Sequence, residues 1–207
     1  MCSSDLEREL LEACAALTRK RRAAAARLAK AVEQLLPGLG LPGGKFLVEV
    51  KALESPTGSG ADQVAFLVQL NVGLDARPLA QVASGGELSR LMLALKVVLA
   101  AHDAVPTLVF DEIDSGVGAE VGAQVADALA KVGESRQVLV ITHLAQIAAR
   151  ARHHVKVTKA PKRGVATADV SVLDAQERID EVARLLGGVK DPSLRQHAEE
   201  LLSGKNS

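Results

Sequence analysis

Aromatic side chains are almost absent from this chain. Phe occurs three times, and Trp and Tyr do not occur. Proteins that bind single-stranded nucleic acid stack bases on aromatic side chains, so this composition argues against that class of binder. Cys2 and Cys14 have neither a metal-ligand spacing nor a disulfide pattern, which argues against both and favours a reducing cytoplasm. No apolar run is long enough to cross a bilayer, so we expect no membrane association.

The chain also lacks a net charge. Its 25 Lys and Arg balance its 25 Asp and Glu. No overall field therefore draws it onto DNA, and any contact with DNA must be a local patch. Two basic runs are candidates, although each is also typical of a solvated surface. They comprise Arg19, Lys20, Arg21, Arg22, Arg27 and Lys30, and then Arg150, Arg152, Lys156, Lys159, Lys162 and Arg163.

Aliphatic residues dominate what is present. Of the 207 residues 48% are hydrophobic, enough for the core of one domain or of one lobe of a larger one. We interpret residues 1–6 as a non-native or truncated start, because they lead directly into a charged helical pattern. Residues 7–36 carry a heptad pattern that stops at Pro37 and predicts either the end of a coiled-coil arm or an amphipathic surface helix. The seam comprises Leu10, Cys14, Leu17, Arg21, Ala24, Leu28, Ala31 and Leu35.

The remainder, residues 45–207, has the pattern of an α/β lobe. Two β-rich stretches, 45–51 and 63–71, predict an antiparallel pair joined by a turn-rich linker. Short apolar strands then alternate with helices, which is typical of a mainly parallel sheet flanked by helices. The predicted strands are 107–110, 137–142, 153–159 and 168–173, and the predicted helices are 86–101, 119–132, 177–186 and 192–202.

The first candidate site is a glycine-rich helix start at Ser84-Gly85-Gly86-Glu87. Ser84 is placed as an N-cap, and Glu87 stands three positions later, as in a capping box. The free N–H groups and the helix dipole at such a start favour a phosphate. Any capped helix after a tight turn also shows this pattern, so the motif alone is weak.

A second site follows the buried strand 107–110, which ends in Asp111 and Glu112. Ligands bind at the carboxyl edge of a parallel sheet in this architecture. In nucleotide hydrolysis the first of two such acids holds Mg²⁺ and the second acts as a base on the attacking water. The alternative is a pair of acids that opens a loop or caps the next helix.

The next apolar strand, 137–142, leads to His143 at what should be the same edge of the sheet. A lone His is more often structural, but one that faces the same cleft as the acids can contact a γ-phosphate. The order of the three elements resembles the C-terminal half of an ATP-binding-cassette (ABC) ATPase head. There they would be the signature motif, Walker B and the switch histidine, with a D-loop at Asp114, Ser115 and Gly116.

The phosphate-binding loop G-x-x-x-x-G-K-[ST] is missing from this sequence. The nearest string, residues 38–46, has Leu39 in place of the first Gly and Phe46 in place of the hydroxyl residue. We therefore predict that the isolated chain has negligible ATPase activity and that a missing N-terminal lobe with Walker A completes the site.

Three strings together resemble the RecN family of bacterial DNA repair ATPases, which is related to the structural-maintenance-of-chromosomes (SMC) and Rad50 types. They are residues 77–90, residues 108–118 and residues 140–148. The likeness covers nearly everything after about residue 10, and residues 178–188 look like the tail of this family and not that of its relatives. One departure from SMC relatives is Gly118, where the D-loop usually closes with Asp; a glycine-rich D-loop is typical of the RecN branch.

The resemblance implies a role for each motif and a set of cofactors and partners. Signature residues 84–87 would bind the γ-phosphate of ATP held by a second head, Asp111 would position Mg²⁺, Glu112 would be the base and His143 the sensor. Residues 114–116 would contact the other subunit of a homodimer, and the whole protein would act on DNA breaks from a cytoplasmic, nucleoid-associated location. Two alternatives stay open: a stand-alone dimerisation or DNA-clamping lobe without hydrolysis, and another head of the SMC or Rad50 type.

Overall fold

The computed structural model describes residues 3–70, 73, 75–100, 102, 104–162 and 165–204, with the side chains of residue 3, residues 159–162 and residues 165–167 left out. The chain divides into two compact units, residues 1–103 and residues 104–207. Several predicted features lie outside the described residues: Met1, Cys2, Asn71, Ala101 and Arg163, and the side chains of Lys159 and Lys162.

The first unit pairs a long helix with an antiparallel sheet. Strands β1 and β2 pair from Lys45↔Gln69 to Thr57↔Gly60 around a two-residue turn, as predicted, although β1 extends further than expected. β2 also pairs antiparallel with the short β3. The elements are α1 (Ser3–Leu35), β1 (Lys45–Thr57), β2 (Gly60–Gln69), β3 (Arg77–Pro78) and α2 (Gly85–Val98).

Helix α1 contacts β1 and β2 along one face. Cys14, Val32 and Leu36 are buried, with half-buried side chains between them at helical spacing. By contrast Leu10 and Leu11 are 50% and 62% exposed. The helix and its end before Pro37 are confirmed, and the coiled-coil arm over residues 7–36 stays a prediction.

Arg21, which interrupts the apolar seam, has a partner on the sheet. Its Nη1 lies 3.1 Å from Asp62 Oδ2, and its Nη2 donates to the Ser59 carbonyl at 2.6 Å. Thr18 Oγ1 donates to the same carboxylate at 2.8 and 2.9 Å. Because Asp62 is only 8% exposed, these polar groups replace water that burial removes.

The second unit begins with two parallel strands that are joined through a helix. β4 and β5 pair in parallel from Thr107↔Gln137 to Phe110↔Val140, and α3 provides the long crossover that a parallel pair requires. Leu108 and Phe110 point to the buried side, whereas Val109 and Leu139 are 63% and 51% exposed on the other. The elements are β4 (Thr107–Phe110), α3 (Ala119–Gly133) and β5 (Gln137–Val140).

Three helices and a hairpin complete this unit. The hairpin strands β6 and β7 pair antiparallel from Val155↔Val172 to Lys162↔Val165, because a two-residue connection is too short for a parallel crossover. Helices α4, α5 and α6 pack around a small core with Val182 and Ala198 fully buried. The elements are α4 (Ala145–Arg150), β6 (Val155–Lys162), β7 (Val165–Val172), α5 (Ala175–Leu186) and α6 (Pro192–Ser203).

The mixture of helices and strands matches the predicted α/β class. Among the described strands the parallel part is confined to β4 and β5, and the other pairings are antiparallel. No helix in the described ranges is both long and apolar enough to cross a membrane.

Candidate nucleotide site

The glycine-rich motif forms the start of α2, as predicted. Ser84 is the N-cap, with φ −91° and ψ 119°, and its Oγ accepts a hydrogen bond from Glu87 N at 3.3 Å. Ser84 and Gly85 are exposed, and Gly86 is buried. The motif therefore presents a capped helix start to solvent, in the first unit of the chain.

The predicted acids lie where β4 ends, in the second unit. Asp111 and Glu112 are both exposed, and Asp111 Oδ1 accepts a hydrogen bond from Glu112 N at 2.9 Å. Glu112 has φ 56°, and no other non-glycine residue in the described ranges has a positive φ. A non-glycine residue in this left-handed region costs about 1–2 kcal/mol, and such strain clusters at functional sites.

The predicted histidine lies where β5 ends, at the same edge of the parallel pair. Ile141 N donates to the Phe110 carbonyl at 3.0 Å, which sets the exits of the two strands side by side. The His143 ring is 73% exposed, and its Nδ1 lies 3.0 Å from Asp114 Oδ2. The carboxyl edge thus carries both acids and the histidine, as the alternation of strands and helices predicted.

Asp114 links the two strand exits. It is 4% exposed and accepts hydrogen bonds from Thr142 Oγ1 at 2.5 Å and from His143 N at 2.7 Å. Burial alone would raise the pKa of Asp114, but the hydrogen bonds from Thr142 and His143 outweigh it and hold this pKa below its ordinary value. The lowered pKa favours an ionised Asp114, and Thr142 and His143 both contact Oδ2 of its side chain.

The rest of the predicted D-loop forms a turn. Ser115 N donates to the Glu112 carbonyl at 3.0 Å. Gly116 has φ 72°, and a Cβ placed there meets nothing within 4 Å. Ser115 and Gly116 are exposed, unlike Asp114.

Asp111 is the one residue that we predicted as a Mg²⁺ ligand. The described part of the chain has no group of three or more His, Cys, Asp or Glu that could hold a metal ion by itself. In proteins Mg²⁺ is usually held by one or two carboxylates together with waters and substrate phosphates. An exposed carboxylate at the strand exit suits that role.

Two functional contacts were missed by sequence reasoning. Thr142 was read only as the end of a strand, yet its hydroxyl donates to Asp114 and accepts from Leu144 N at 3.0 Å. The contact of Asp114 with a second subunit stays a prediction, and the sequence did not indicate the hydrogen bonds that its side chain accepts within its own chain. The polar pair Thr142-His143 directly after an apolar strand was the available signal.

No protein-family model matches the chain. The chain is 42% identical over 199 residues to the DNA repair protein RecN of Deinococcus radiodurans, a match that covers 96% of this chain and 35% of that protein. It is 43% identical to RecN of Treponema pallidum, covering 94% of this chain and 35% of the relative. The chain thus spans about a third of the length of these curated relatives.

Solved SMC heads share the fold. The SMC head domain with coiled coil and joint from Pyrococcus yayanosii superposes with a TM-score of 0.56 at 24% identity, covering 81% of this chain and 29% of that one. The SMC head domain from Pyrococcus furiosus with an extended coiled coil, bound to the C-terminal domain of ScpA, gives 0.51 at 22% identity, covering 77% and 37%. The α/β lobe of an SMC-type head is therefore confirmed as the fold, and the identity to the RecN proteins over nearly the whole chain shows that it belongs to the RecN family.

Proposed function

We propose that this chain is the C-terminal half of an ATPase head in a DNA double-strand-break repair protein. The observation that carries the proposal is the position of Asp111, Glu112 and His143 at the same edge of the parallel pair, where Asp114 links the ends of the two strands. Ligands of α/β proteins bind at this edge.

Each side chain has a task in this proposal. Asp111 would hold Mg²⁺, which would supply charge neutralisation at the phosphates of ATP during hydrolysis. Glu112 accepts the proton of the attacking water. His143 faces the γ-phosphate through its exposed ring, and Ser84 to Glu87 bind the γ-phosphate of ATP on a second head.

The site requires a partner lobe, because the chain has no phosphate-binding loop. An exposed apolar face on the β4–β5 pair supports this requirement: Val109, Leu139 and Ile141 are 63%, 51% and 61% exposed. Exposed apolar patches typically mark interaction sites. We infer that the N-terminal lobe of the same protein covers the face and supplies Walker A, and that two completed heads form a homodimer around ATP.

We propose DNA binding for the whole protein, and this chain offers one surface that suits it. On α1, Arg19, Lys20 and Arg22 are exposed, which suits phosphate binding by a local patch. Arg21 is better assigned to Asp62, with which it forms an ion pair. We place the protein in the cytoplasm with its DNA, as the cysteine usage and the family favour.

ATP turnover by the chain, alone and together with the N-terminal part of the protein, tests this proposal. We expect negligible turnover from the chain alone and Mg²⁺-dependent turnover from the pair. Asp111→Asn should abolish that turnover. Asp127→Asn is the matched control, since Asp127 is an exposed residue on α3 that pairs with Arg150.

Two results would refute the proposal: turnover by the chain alone, or turnover by the pair that survives Asp111→Asn. A stand-alone clamping lobe predicts a third pattern, namely a stable complex and DNA binding without any ATP turnover. A Rad50-type head predicts a Cys-x-x-Cys zinc hook in the coiled coil of the longer protein.

A further inference from the structure

We propose that Asp114 is a positioning residue that orients the His143 ring and selects its tautomer. The proposal rests on the proposed function, because it assigns His143 a task at the γ-phosphate. It gives Asp114 a role within its own chain, in place of the contact to a second subunit that the sequence suggested.

Geometry carries the proposal. Two hydrogen bonds and one ring contact converge on a single oxygen, Asp114 Oδ2. Thr142 Oγ1 donates at 2.5 Å and His143 N at 2.7 Å, and the ring Nδ1 of His143 lies 3.0 Å away. The backbone hydrogen bond fixes where residue 143 leaves the strand, and the ring contact places Nδ1 beside the carboxylate. Because both come from one oxygen, the carboxylate sets backbone and ring together.

The same contact dictates which ring nitrogen carries the proton. An ionised carboxylate accepts only, so its position 3.0 Å from the ring favours the tautomer that carries the proton on Nδ1. Nε2 is then on the opposite side of a ring that is 73% exposed. In the neutral ring Nε2 offers a lone pair, and in the charged ring it offers a proton to a phosphate oxygen. A carboxylate has the same orienting role behind the histidine of hydrolase triads.

Burial makes this arrangement rigid. Asp114 is 4% exposed, and the next residue toward β4, Ile113, is fully buried. Thr142 Oγ1 also accepts from Leu144 N at 3.0 Å, so the donor to Asp114 is itself held in place. Contact with a second subunit then falls to the exposed Ser115 and Gly116.

The direct test is the nitrogen NMR spectrum of the His143 ring in the 207-residue chain, at a pH where the ring is neutral. We expect the Nδ1–H tautomer in the unsubstituted chain and its loss in Asp114→Ala. Thr142→Val is the matched control, because it removes one donor to Asp114 and leaves the ring contact; we expect it to keep the Nδ1–H tautomer. A dominant Nε2–H tautomer in the unsubstituted chain would overturn the proposal, and that result requires no variant to fold.

A second readout separates positioning from structural support. In the completed ATPase, Asp114→Ala should lower kcat about tenfold or more, as loss of an orienting partner does elsewhere. In a His143→Ala background the same substitution should change kcat less than about twofold, because residues that act as a unit are non-additive. An equal loss in both backgrounds would contradict the proposal. If the completed protein shows no turnover at all, the proposed function fails, while the NMR result still decides the role of Asp114.

Discussion

The backbone at Glu112 is the most unusual local feature of the described chain. Its φ of 56° places a side chain with a Cβ where glycine is favoured. The next residues form a turn, with Ser115 N bonded to the Glu112 carbonyl at 3.0 Å. The fold thus keeps a strained glutamate at the strand exit, which is expected where stability is exchanged for activity.

Because of this strain, we expect glycine at position 112 to give a more stable protein than alanine. Both Glu112→Gly and Glu112→Ala remove the carboxylate, but only glycine relieves the left-handed backbone. We expect the Gly variant to be more stable than the Ala variant by about 1 kcal/mol in urea unfolding. Equal stability, or a more stable Ala variant, would show that position 112 is not strained.

The role of a single residue was predictable where its side chain forms a hydrogen bond with backbone close by in sequence. Ser84 was predicted as an N-cap because its pattern is local, and the bond to Glu87 N confirms it. Arg21 was assigned to a basic surface run, and this missed its ion pair with Asp62, which is 41 residues away in sequence. Contacts at such separation depend on tertiary packing, which a local pattern does not contain.

At the scale of elements, the turn between β1 and β2 contains two glycines. The structure requires glycine at position 60 but not at position 58. Gly60 has φ 106°, and a Cβ there would lie 2.8 Å from Leu17 Cδ2 and 3.1 Å from Arg21 Nη1. Gly58 lies in the same turn, and nothing lies within 4 Å of a Cβ placed there. Of the two glycines, Gly60 is therefore the one that lies against α1, next to the Ser59 carbonyl that accepts from Arg21.

Substituting each glycine by alanine tests this difference. Gly60→Ala should cost about 1–2 kcal/mol from the backbone alone, and more if Arg21 is displaced from Asp62. Gly58→Ala should stay within about 0.5 kcal/mol of the parent. Thermal unfolding of the two variants provides the measurement, and an equal effect at both sites would contradict the packing of this turn against α1.

A buried glutamate connects the β6–β7 hairpin to helix α5. Glu181, 6% exposed, lies 2.5 Å from Lys156 Nζ on β6 and 2.6 Å from Arg184 Nη2. Burial would raise the pKa of Glu181, but the hydrogen bonds from Arg184 and Lys156 outweigh it and lower this pKa below its ordinary value of 4.5.

The lowered pKa predicts acid sensitivity with a definite sign. Since the folded state holds the Glu181 proton less tightly than the unfolded state, the stabilisation is complete above pH 4.5 and is lost as the pH falls through the folded pKa. Glu181→Gln should be less stable at neutral pH and should show a flatter dependence below the ordinary value. Glu199→Gln, at an exposed site on α6, should match the parent in urea unfolding at each pH. An unchanged slope in the Glu181 variant would refute this role.

Elements were predicted best where their pattern was long or strictly apolar. The strand 107–110 and the helix 119–132 agree with β4 and α3 to within a residue. Helix α4 was missed because its six residues are too few to show helical periodicity. β1 was cut short because its second half, with Pro56 and exposed polar residues, lacks an apolar alternation.

At the scale of the whole chain, the described residues include two sheet faces with exposed apolar side chains. One is the β4–β5 face described above. The other is on the hairpin, where Val155, Val157, Val170 and Val172 are 51%, 62%, 63% and 70% exposed on paired positions. Exposed apolar strand surfaces favour association, as the proposed partner lobe would require.

The class of the fold was predictable, and the extent of its sheets was not. Alternating strands and helices indicated an α/β lobe, and the solved SMC heads agree. A sheet that is covered on both faces was inferred from strands that are apolar throughout. Val109 and Ile141 belong to that apolar pattern, yet both are exposed here. A sequence pattern can indicate that a sheet face is apolar, but it does not identify the part of the protein that covers the face.

The most direct test of the central claim is single-turnover hydrolysis of ATP by the completed protein, with and without Glu112→Gln. If Glu112 is the base at a strand exit that holds Mg·ATP, the substitution should slow hydrolysis by about 10²–10⁴-fold and leave ATP bound between the heads. Hydrolysis within a few-fold of the parent, or loss of ATP binding instead of hydrolysis, would contradict the account.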